Sequence, residues 1–146
     1  MIQRVLVLCL GNICRSPIGE VLLKKMANDR GLTLEVDSAG LTAMVGDGAN
    51  PFSQALMTEQ GLNLTTHRAK QVTAELVKNA DLILVMDDEQ RQMLEQMFHD
   101  ACGKTFRIGH HSNFDVPDPY GCPRALFEKC TLQIEQGLND WMNFIA

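Results

Sequence analysis

The chain has 146 residues and a formal net charge of -5, and 45% of its residues are hydrophobic. This length and apolar content suit one domain, residues 1–146, with an ordinary core, and the acidic balance disfavours nucleic acid or an anionic membrane as the main partner. The five cysteines are scattered and odd in number, which indicates reduced thiols in a cytoplasmic protein rather than a disulfide framework or a membrane-inserted chain.

Short apolar segments alternate with helical patterns along the chain. Residues 4–10 are continuously apolar after Arg4, as expected of a strand that is covered on both faces. Ser16 and Pro17 are typical of an N-cap and a first helical position, and Gly31 ends that helix. The remaining predicted elements, in chain order, are a strand over 34–39, a helix over 51–60, a short turn of helix capped by Thr73, a strand over 81–86, a helix that begins at the acidic run 87–89, a strand over 105–108 and a helix over 123–143.

The alternation of strands and helices predicts an α/β fold in three layers. Its parallel sheet would have right-handed crossovers and helices on both faces. Ligands of such sheets bind at the carboxyl ends of the strands. We therefore expect the functional edge to carry residues 11–16 and the segment that follows Met86.

The most informative segment is the loop of residues 9–17, CLGNICRSP. Cys9 ends a strand, Gly11 permits a tight turn, and the helix that starts at Ser16 directs backbone N–H groups and its positive dipole end at one spot. Such a cradle binds an oxyanion, and Arg15 would add a planar fork that matches two phosphate oxygens. The same field favours a thiolate at Cys9, which indicates transfer of a phosphoryl group to sulfur.

Dephosphorylation also needs an acid that protonates the leaving oxygen. Asp118 is the candidate because Pro117 and Pro119 restrict its backbone on both sides. On local sequence alone, a plain turn aspartate is an equally good interpretation. The loop likewise has a simpler interpretation, with Cys9 as a buried strand-end thiol and Arg15 as a surface charge.

The loop resembles the signature loop of low-molecular-weight protein tyrosine phosphatases, and residues 118–120 (DPY) resemble their general-acid loop. Further landmarks of that family occur in the expected order at 37–40, 67–71 and 86–87. The resemblance implies a flavodoxin-like sheet of four parallel strands in the order 2-1-3-4, and hydrolysis of phosphotyrosine through a phosphocysteine without metal or cofactor. The resemblance implies that Cys9 is the nucleophile, Arg15 binds the phosphate and Asp118 is the general acid.

The resemblance also implies the substrate pocket and the partner. An aliphatic wall at residues 41–46 is similar to that of bacterial members that act on tyrosine autokinases controlling capsule or exopolysaccharide export. The expected partner is thus a phosphotyrosine protein, an autokinase of this kind, and the expected state is a monomer. The residues expected to bind phosphate or substrate are Leu10, Gly11, Asn12, Ile13, Cys14, Ser16, Leu41, Met44 and Tyr120.

Two rival functions remain open on the sequence. An arsenate reductase of the same fold needs two further relay cysteines, and none stands just after the third predicted strand. A phosphotyrosine reader without catalysis has no need of both Cys9 and Asp118.

Cys14 is either the partner of Cys9 in a protective disulfide, as occurs in the family, or a packed small side chain. Gly121 lies where many members of the family carry a second tyrosine, so the sequence does not show which residues bind the aromatic ring of the leaving group.

The histidines are expected to be structural. His67 is interpreted as a hydrogen-bonded side chain that braces the loop. The chain has no repeated spacing of metal ligands, so no metal site is expected. The residues considered for one are His99, Cys102, His110 and His111.

Overall fold

Four parallel strands form one sheet in the order β2-β1-β3-β4 in the computed structural model, which describes residues 1–145. The strands are β1 (Arg4–Cys9), β2 (Glu35–Gly40), β3 (Leu82–Val85) and β4 (Thr105–Arg107). The helices are α1 (Arg15–Asp29), α2 (Pro51–Glu59), α3 (Ala74–Asn79), α4 (Asp88–Met97) and α5 (Arg124–Ile145), with a 3₁₀ turn at His99–Ala101. The predicted α/β fold and its strand order are confirmed.

The sheet is covered on both faces because neighbouring residues of its strands point into two different apolar clusters. Val5 and Val7 of β1 pack with residues of α1, α2 and α5, whereas Leu6 and Leu8 pack with residues of α3 and α4. All four side chains are at most 2% exposed, which explains why β1 is an uninterrupted apolar run. Helices on both faces leave the carboxyl edge of the strands as the open end of the sheet.

Helix α1 starts differently from the sequence expectation. It begins at Arg15, and its N-cap residue Cys14 makes no side-chain capping hydrogen bond. Ser16 lies inside the first turn, where its hydroxyl is 3.0 Å from the sulfur of Cys9. The prediction that Ser16 caps the helix is therefore wrong, because its hydroxyl contacts the Cys9 sulfur instead of a backbone N–H group of the helix.

The other boundaries lie close to the predictions. Asp87 caps α4 by accepting a hydrogen bond from the backbone N–H of Gln90 at 2.8 Å, as the acidic run indicates. Helix α5 continues beyond its predicted end to Ile145, and Phe144 in its last turn stacks on His111 with ring centroids 4.1 Å apart. Within residues 1–145, no helix has both the length and the apolar character that crossing a membrane requires.

Candidate active site

A cavity of about 150 Å³ opens at the carboxyl edge of the sheet, beside the end of β1. Three separate segments meet there: the loop between β1 and α1, the wall after β2, and the predicted acid loop before α5. The lining residues are Cys9, Leu10, Gly11, Ile13, Cys14, Arg15, Thr42, Met44, Asp118 and Tyr120. The fold thus brings together most of the site that the sequence predicts.

Asn12 holds the loop in its shape. Its φ of +59° lies in the left-handed region, which costs free energy for a residue other than glycine. The buried side-chain amide donates to Ser16 Oγ at 2.8 Å and to Ser38 Oγ at 3.1 Å, and its oxygen accepts from the Lys70 backbone N–H at 3.0 Å. His67 Nε2 lies 2.7 Å from the Asn12 carbonyl oxygen, so this histidine braces the loop as expected. These bonds compensate for the unfavourable backbone conformation.

The thiol of Cys9 lies at the floor of the cavity. It is 2% exposed, and its sulfur is 3.0 Å from Ser16 Oγ. Because Asn12 donates to that hydroxyl oxygen, the hydroxyl proton is free to point at the sulfur. Ser16 can therefore donate to a thiolate, at a helix N-terminus whose dipole favours an anion.

Arg15 is buried, at 3% exposure, and only part of its guanidinium group is paired. Its Nη1 donates to the Val116 carbonyl at 2.8 Å, and its Nη2 lies 4.0 Å from Asp118 Oδ1. Its Nε has no hydrogen-bond partner in the part of the chain that the structure describes. A buried N–H group without an acceptor is costly, and the Nε–Nη2 edge is the one that matches two oxygens of a phosphate. This edge indicates an anion site.

Asp118 lies at the mouth of the cavity, and its loop is tied down on two sides. The Val116 N–H donates to the Met86 carbonyl at the end of β3 at 2.9 Å, and the Val116 carbonyl accepts from Arg15. One carboxylate oxygen of Asp118 accepts from the Tyr120 backbone N–H at 3.1 Å. The Asp118 side chain remains 49% exposed, so its carboxyl group can exchange protons with water.

Cys14 also lines the cavity, but its thiol has a high pKa, whereas an activated thiol has a low one. Burial, with smaller contributions from nearby Cys9 and Asp118, raises the pKa of Cys14 to about 12. Cys14 is therefore protonated at neutral pH and is a poor nucleophile. Both Cys9 and Cys14 are free thiols in the structure, and the protective disulfide between them stays a prediction.

Three of the predicted binding residues do not line the cavity. Asn12 and Ser16 act from behind the loop, as described above. Leu41 is 2% exposed and packs in the apolar cluster with α3 and α4, so its assignment to the pocket is wrong. The chain turns after β2 and brings Thr42 to the cavity instead, since the apolar Leu41 is buried in the core.

Ser38 is a residue of the site that the sequence analysis missed. Its hydroxyl accepts from the Asn12 amide and donates to Glu20 Oε1 at 2.6 Å, so it connects the loop to helix α1. In the sequence, the only signal for this serine is that it lies in the segment 37–40, which resembles a landmark of the family. The role of its serine depends on a contact between residues 26 positions apart.

Comparisons with known proteins identify the family of the chain. A model of the family described as low molecular weight phosphotyrosine protein phosphatase matches residues 4–146. The low molecular weight protein-tyrosine-phosphatase Ptp of Acinetobacter johnsonii is 43% identical over 143 residues, which are 98% of this chain and 98% of the relative. The probable low molecular weight protein-tyrosine-phosphatase EpsP of Ralstonia nicotianae is 39% identical over 142 residues, 97% of this chain and 95% of the relative.

The solved structures are similar over the same length. The tyrosine phosphatase Wzb from Escherichia coli K30 in complex with sulphate has a TM-score of 0.93 at 33% identity and covers 100% of both chains. The family model, the relatives and the fold therefore lead to one conclusion. The chain belongs to the low molecular weight phosphotyrosine protein phosphatases, which hydrolyse phosphotyrosine.

Proposed function

We propose that this enzyme hydrolyses phosphotyrosine through a covalent phosphocysteine at Cys9, with Arg15 as the phosphate ligand and Asp118 as the general acid. The observation that carries this proposal is the state of the Arg15 guanidinium group. Its Nη1 donates to the Val116 carbonyl of the acid loop, whereas its Nε has no acceptor among residues 1–145, and Arg15 lines the cavity that holds Cys9. Arg15 would thus bind a phosphate at Cys9 with one part of its guanidinium group while another part holds the loop that carries Asp118.

In the first step, the Cys9 thiolate attacks phosphorus, the S–P bond forms and the bond from phosphorus to the tyrosine oxygen breaks. Asp118 gives its proton to the departing oxygen, so that tyrosine leaves as a neutral phenol. The backbone N–H groups of the loop and the free edge of Arg15 stabilise the charge on the transferred group. The same contacts hold the phosphoryl group on the sulfur.

In the second step, a water molecule attacks the phosphocysteine. The Asp118 carboxylate takes a proton from the water as its oxygen bonds to phosphorus, and the S–P bond breaks to release inorganic phosphate. Cys9 departs as a thiolate, which the Ser16 hydroxyl stabilises by donating a hydrogen bond across the 3.0 Å contact. The enzyme returns to its starting protonation state.

The proposed physiological substrate is a tyrosine autokinase involved in capsule or exopolysaccharide production. Support comes from the aliphatic wall at Met44, which lines the cavity as the resemblance to such bacterial members implies. The similar Wzb has been solved with sulphate, a tetrahedral dianion like phosphate, which supports oxyanion binding on this fold. A cytoplasmic location is part of the same proposal, because Cys9 must stay reduced.

The proposal is tested by assaying the purified chain for phosphate release from a phosphotyrosine peptide, beside thioredoxin-coupled reduction of arsenate. We expect phosphate release and no arsenate reduction. The opposite result would assign the chain to the reductases, and binding without turnover would assign it to non-catalytic readers. A pull-down with Cys9→Ser, eluted with a phosphate analogue, would then show whether the retained phosphoprotein is a tyrosine autokinase.

Arg15→Lys should lower kcat/KM for p-nitrophenyl phosphate by about 10²–10³-fold, because an ammonium group cannot reproduce the fork or hold the Val116 carbonyl in the same geometry. The matched control is Arg30→Lys, which changes an exposed arginine on the far end of α1 and should leave kcat/KM unaltered. A near-normal rate for Arg15→Lys would mean that Arg15 does not bind the phosphate.

Removal of divalent metals should not change turnover. The proposed mechanism neutralises the phosphoryl charge with Arg15 and backbone N–H groups alone, so no step depends on a metal ion. The measurement is kcat for p-nitrophenyl phosphate after dialysis against EDTA, compared with untreated enzyme. Loss of activity that added Mg²⁺ or Zn²⁺ restores would contradict this mechanism.

A further inference from the structure

The wall of the cavity is joined to the phosphate loop by backbone hydrogen bonds. Residues 41–44 leave β2 and pass alongside residues 9–11, and each of three N–H groups of the wall donates to a carbonyl of the loop. The bonds run from Leu41 to Cys9 at 3.0 Å, from Thr42 to Leu10 at 2.9 Å and from Met44 to Gly11 at 3.0 Å.

The other side of the wall is held by one side chain, that of Gln71. Its Nε2 donates to the Leu41 carbonyl at 2.6 Å, and its Oε1 accepts from the Ala43 N–H at 2.8 Å. The side-chain amide thus forms one donor and one acceptor hydrogen bond with the backbone of the wall, as a peptide group of a neighbouring strand would. Among the described residues, the Gln71 side chain forms its hydrogen bonds with the wall, and Gln71 is not one of the residues that line the cavity.

The backbone of Gln71 is itself fixed to the end of β2. Gln71 forms an isolated parallel bridge with Gly40, whose N–H donates to the Lys70 carbonyl at 2.9 Å and whose carbonyl accepts from the Val72 N–H at 2.9 Å. A Cβ atom on Gly40 would lie 2.8 Å from the Leu10 carbonyl oxygen and 2.9 Å from Cα of Ala43. The backbones of the wall and the phosphate loop are therefore packed so closely at Gly40 that no side chain fits between them.

We infer that Gln71 is a positioning residue that sets the place of the wall and, through it, the affinity for the aromatic part of the substrate. This inference rests on the proposed function, because the aryl ring of a phosphomonoester bound at Cys9 would contact the part of the cavity that Met44 and Tyr120 line. Met44, on the wall, lies over the phosphate loop: a Cβ atom on Gly11 would be 3.6 Å from Met44 Cγ. Without the Gln71 amide, the Leu41 carbonyl and the Ala43 N–H lose their partners, and the wall can shift and carry Met44 away from its present position.

The inference separates two kinds of binding. In the proposed function, Arg15 and the backbone N–H groups of residues 10–15 bind the phosphate, and the Gln71 amide forms its hydrogen bonds with Leu41 and Ala43 of the wall instead. The aryl ring would contact Met44 and Tyr120, and the position of the wall that carries Met44 depends on Gln71. Loss of the Gln71 amide should therefore weaken recognition of aryl phosphates while the affinity for inorganic phosphate stays the same.

The test variant is Gln71→Met, which keeps the length of the side chain and removes both hydrogen bonds. We expect KM for a phosphotyrosine peptide and for p-nitrophenyl phosphate to rise about 3- to 10-fold with kcat unchanged, so that kcat/KM falls by the same factor. The inhibition constant of inorganic phosphate should not change. Gln92→Met, an exposed glutamine on α4, is the matched control and should have wild-type values for all three constants.

Gln71→Glu gives a second readout that a general loss of packing would not produce. Its carboxyl group can accept from the Ala43 N–H in either state, but it can donate to the Leu41 carbonyl only when protonated. The KM ratio of this variant to wild type should thus shrink as the pH falls toward about 4.3, the usual pKa of a glutamic acid. Gln71→Met should show no such recovery.

Two results would overturn the inference. One is an unchanged KM in Gln71→Met, and the other is a rise in the phosphate inhibition constant equal to the rise in KM, which would place Gln71 in support of the phosphate loop. If Gln71→Met does not fold, as judged by its thermal melt, the pH dependence of KM in Gln71→Glu decides alone, and a pH-independent ratio counts against the inference. Failure of the proposed function would be distinct, since it would appear as an inactive wild-type enzyme.

Discussion

Cys9→Ser should abolish turnover while the protein keeps its fold. A serine hydroxyl is not ionised at neutral pH, so neither the N-terminus of α1 nor Ser16 can activate it as they activate a thiolate. The oxygen can still accept a hydrogen bond from Ser16, and the buried site loses little volume. We expect the rate of phosphate release from a phosphotyrosine peptide to fall by at least about 10⁴-fold, with a thermal melt close to that of wild type.

The control for this variant is Cys102→Ser, because Cys102 is an exposed thiol on a surface turn. It should have wild-type rates. Rapid quenching of the wild-type enzyme with labelled substrate should also trap a phosphoenzyme that is absent from Cys9→Ser. If Cys9→Ser keeps more than a trace of activity, Cys9 is not the nucleophile, and the high pKa of Cys14 makes that neighbouring thiol an unsuitable replacement.

The parts of the fold and site that the sequence predicts are those determined by local residues. β1 is recognisable because a strand buried on both faces has to be apolar throughout. The capping of α4 by Asp87 follows from the acidic run, and the oxyanion cradle follows from a strand, a glycine and a helix start in immediate succession. Each of these features depends on residues within a few positions of one another.

The parts that the sequence does not predict depend on contacts between distant segments. Arg15 binds the carbonyl of Val116, which is 101 residues away, and this bond links the phosphate ligand to the acid loop. Backbone acceptors of this kind leave no mark on residue type. The error at Ser16 has a related cause. Serine is suited both to capping a helix and to hydrogen bonding within a loop, and here its hydroxyl contacts Cys9, seven residues earlier, and accepts from the Asn12 amide.

Asp118→Ala should impair the enzyme most for substrates with a basic leaving group. Negative charge builds up on the departing oxygen as the bond to phosphorus breaks, and the phenol of tyrosine has a pKa near ~10, so its oxyanion is a poor leaving group without a proton. Loss of a general acid costs typically ~10²–10⁴-fold, and we expect a loss of this size in kcat/KM for phosphotyrosine. p-Nitrophenoxide leaves readily by itself, so the loss for p-nitrophenyl phosphate should be smaller.

Asp118→Asn is the matched variant that separates proton donation from loop structure. Its amide oxygen can still accept from the Tyr120 N–H, which Asp118 does at 3.1 Å, but it cannot act as an acid. If Asp118 is the acid, both variants lose the alkaline limb of the pH profile of kcat/KM, because that limb reports deprotonation of the group that donates the proton. Steady-state kcat reports the slower of two steps, so single-turnover rates or kcat/KM must be compared. Equal losses for both substrates with the wild-type pH profile retained would make Asp118 a structural residue of the turn, because a group that only shapes the loop affects every leaving group alike.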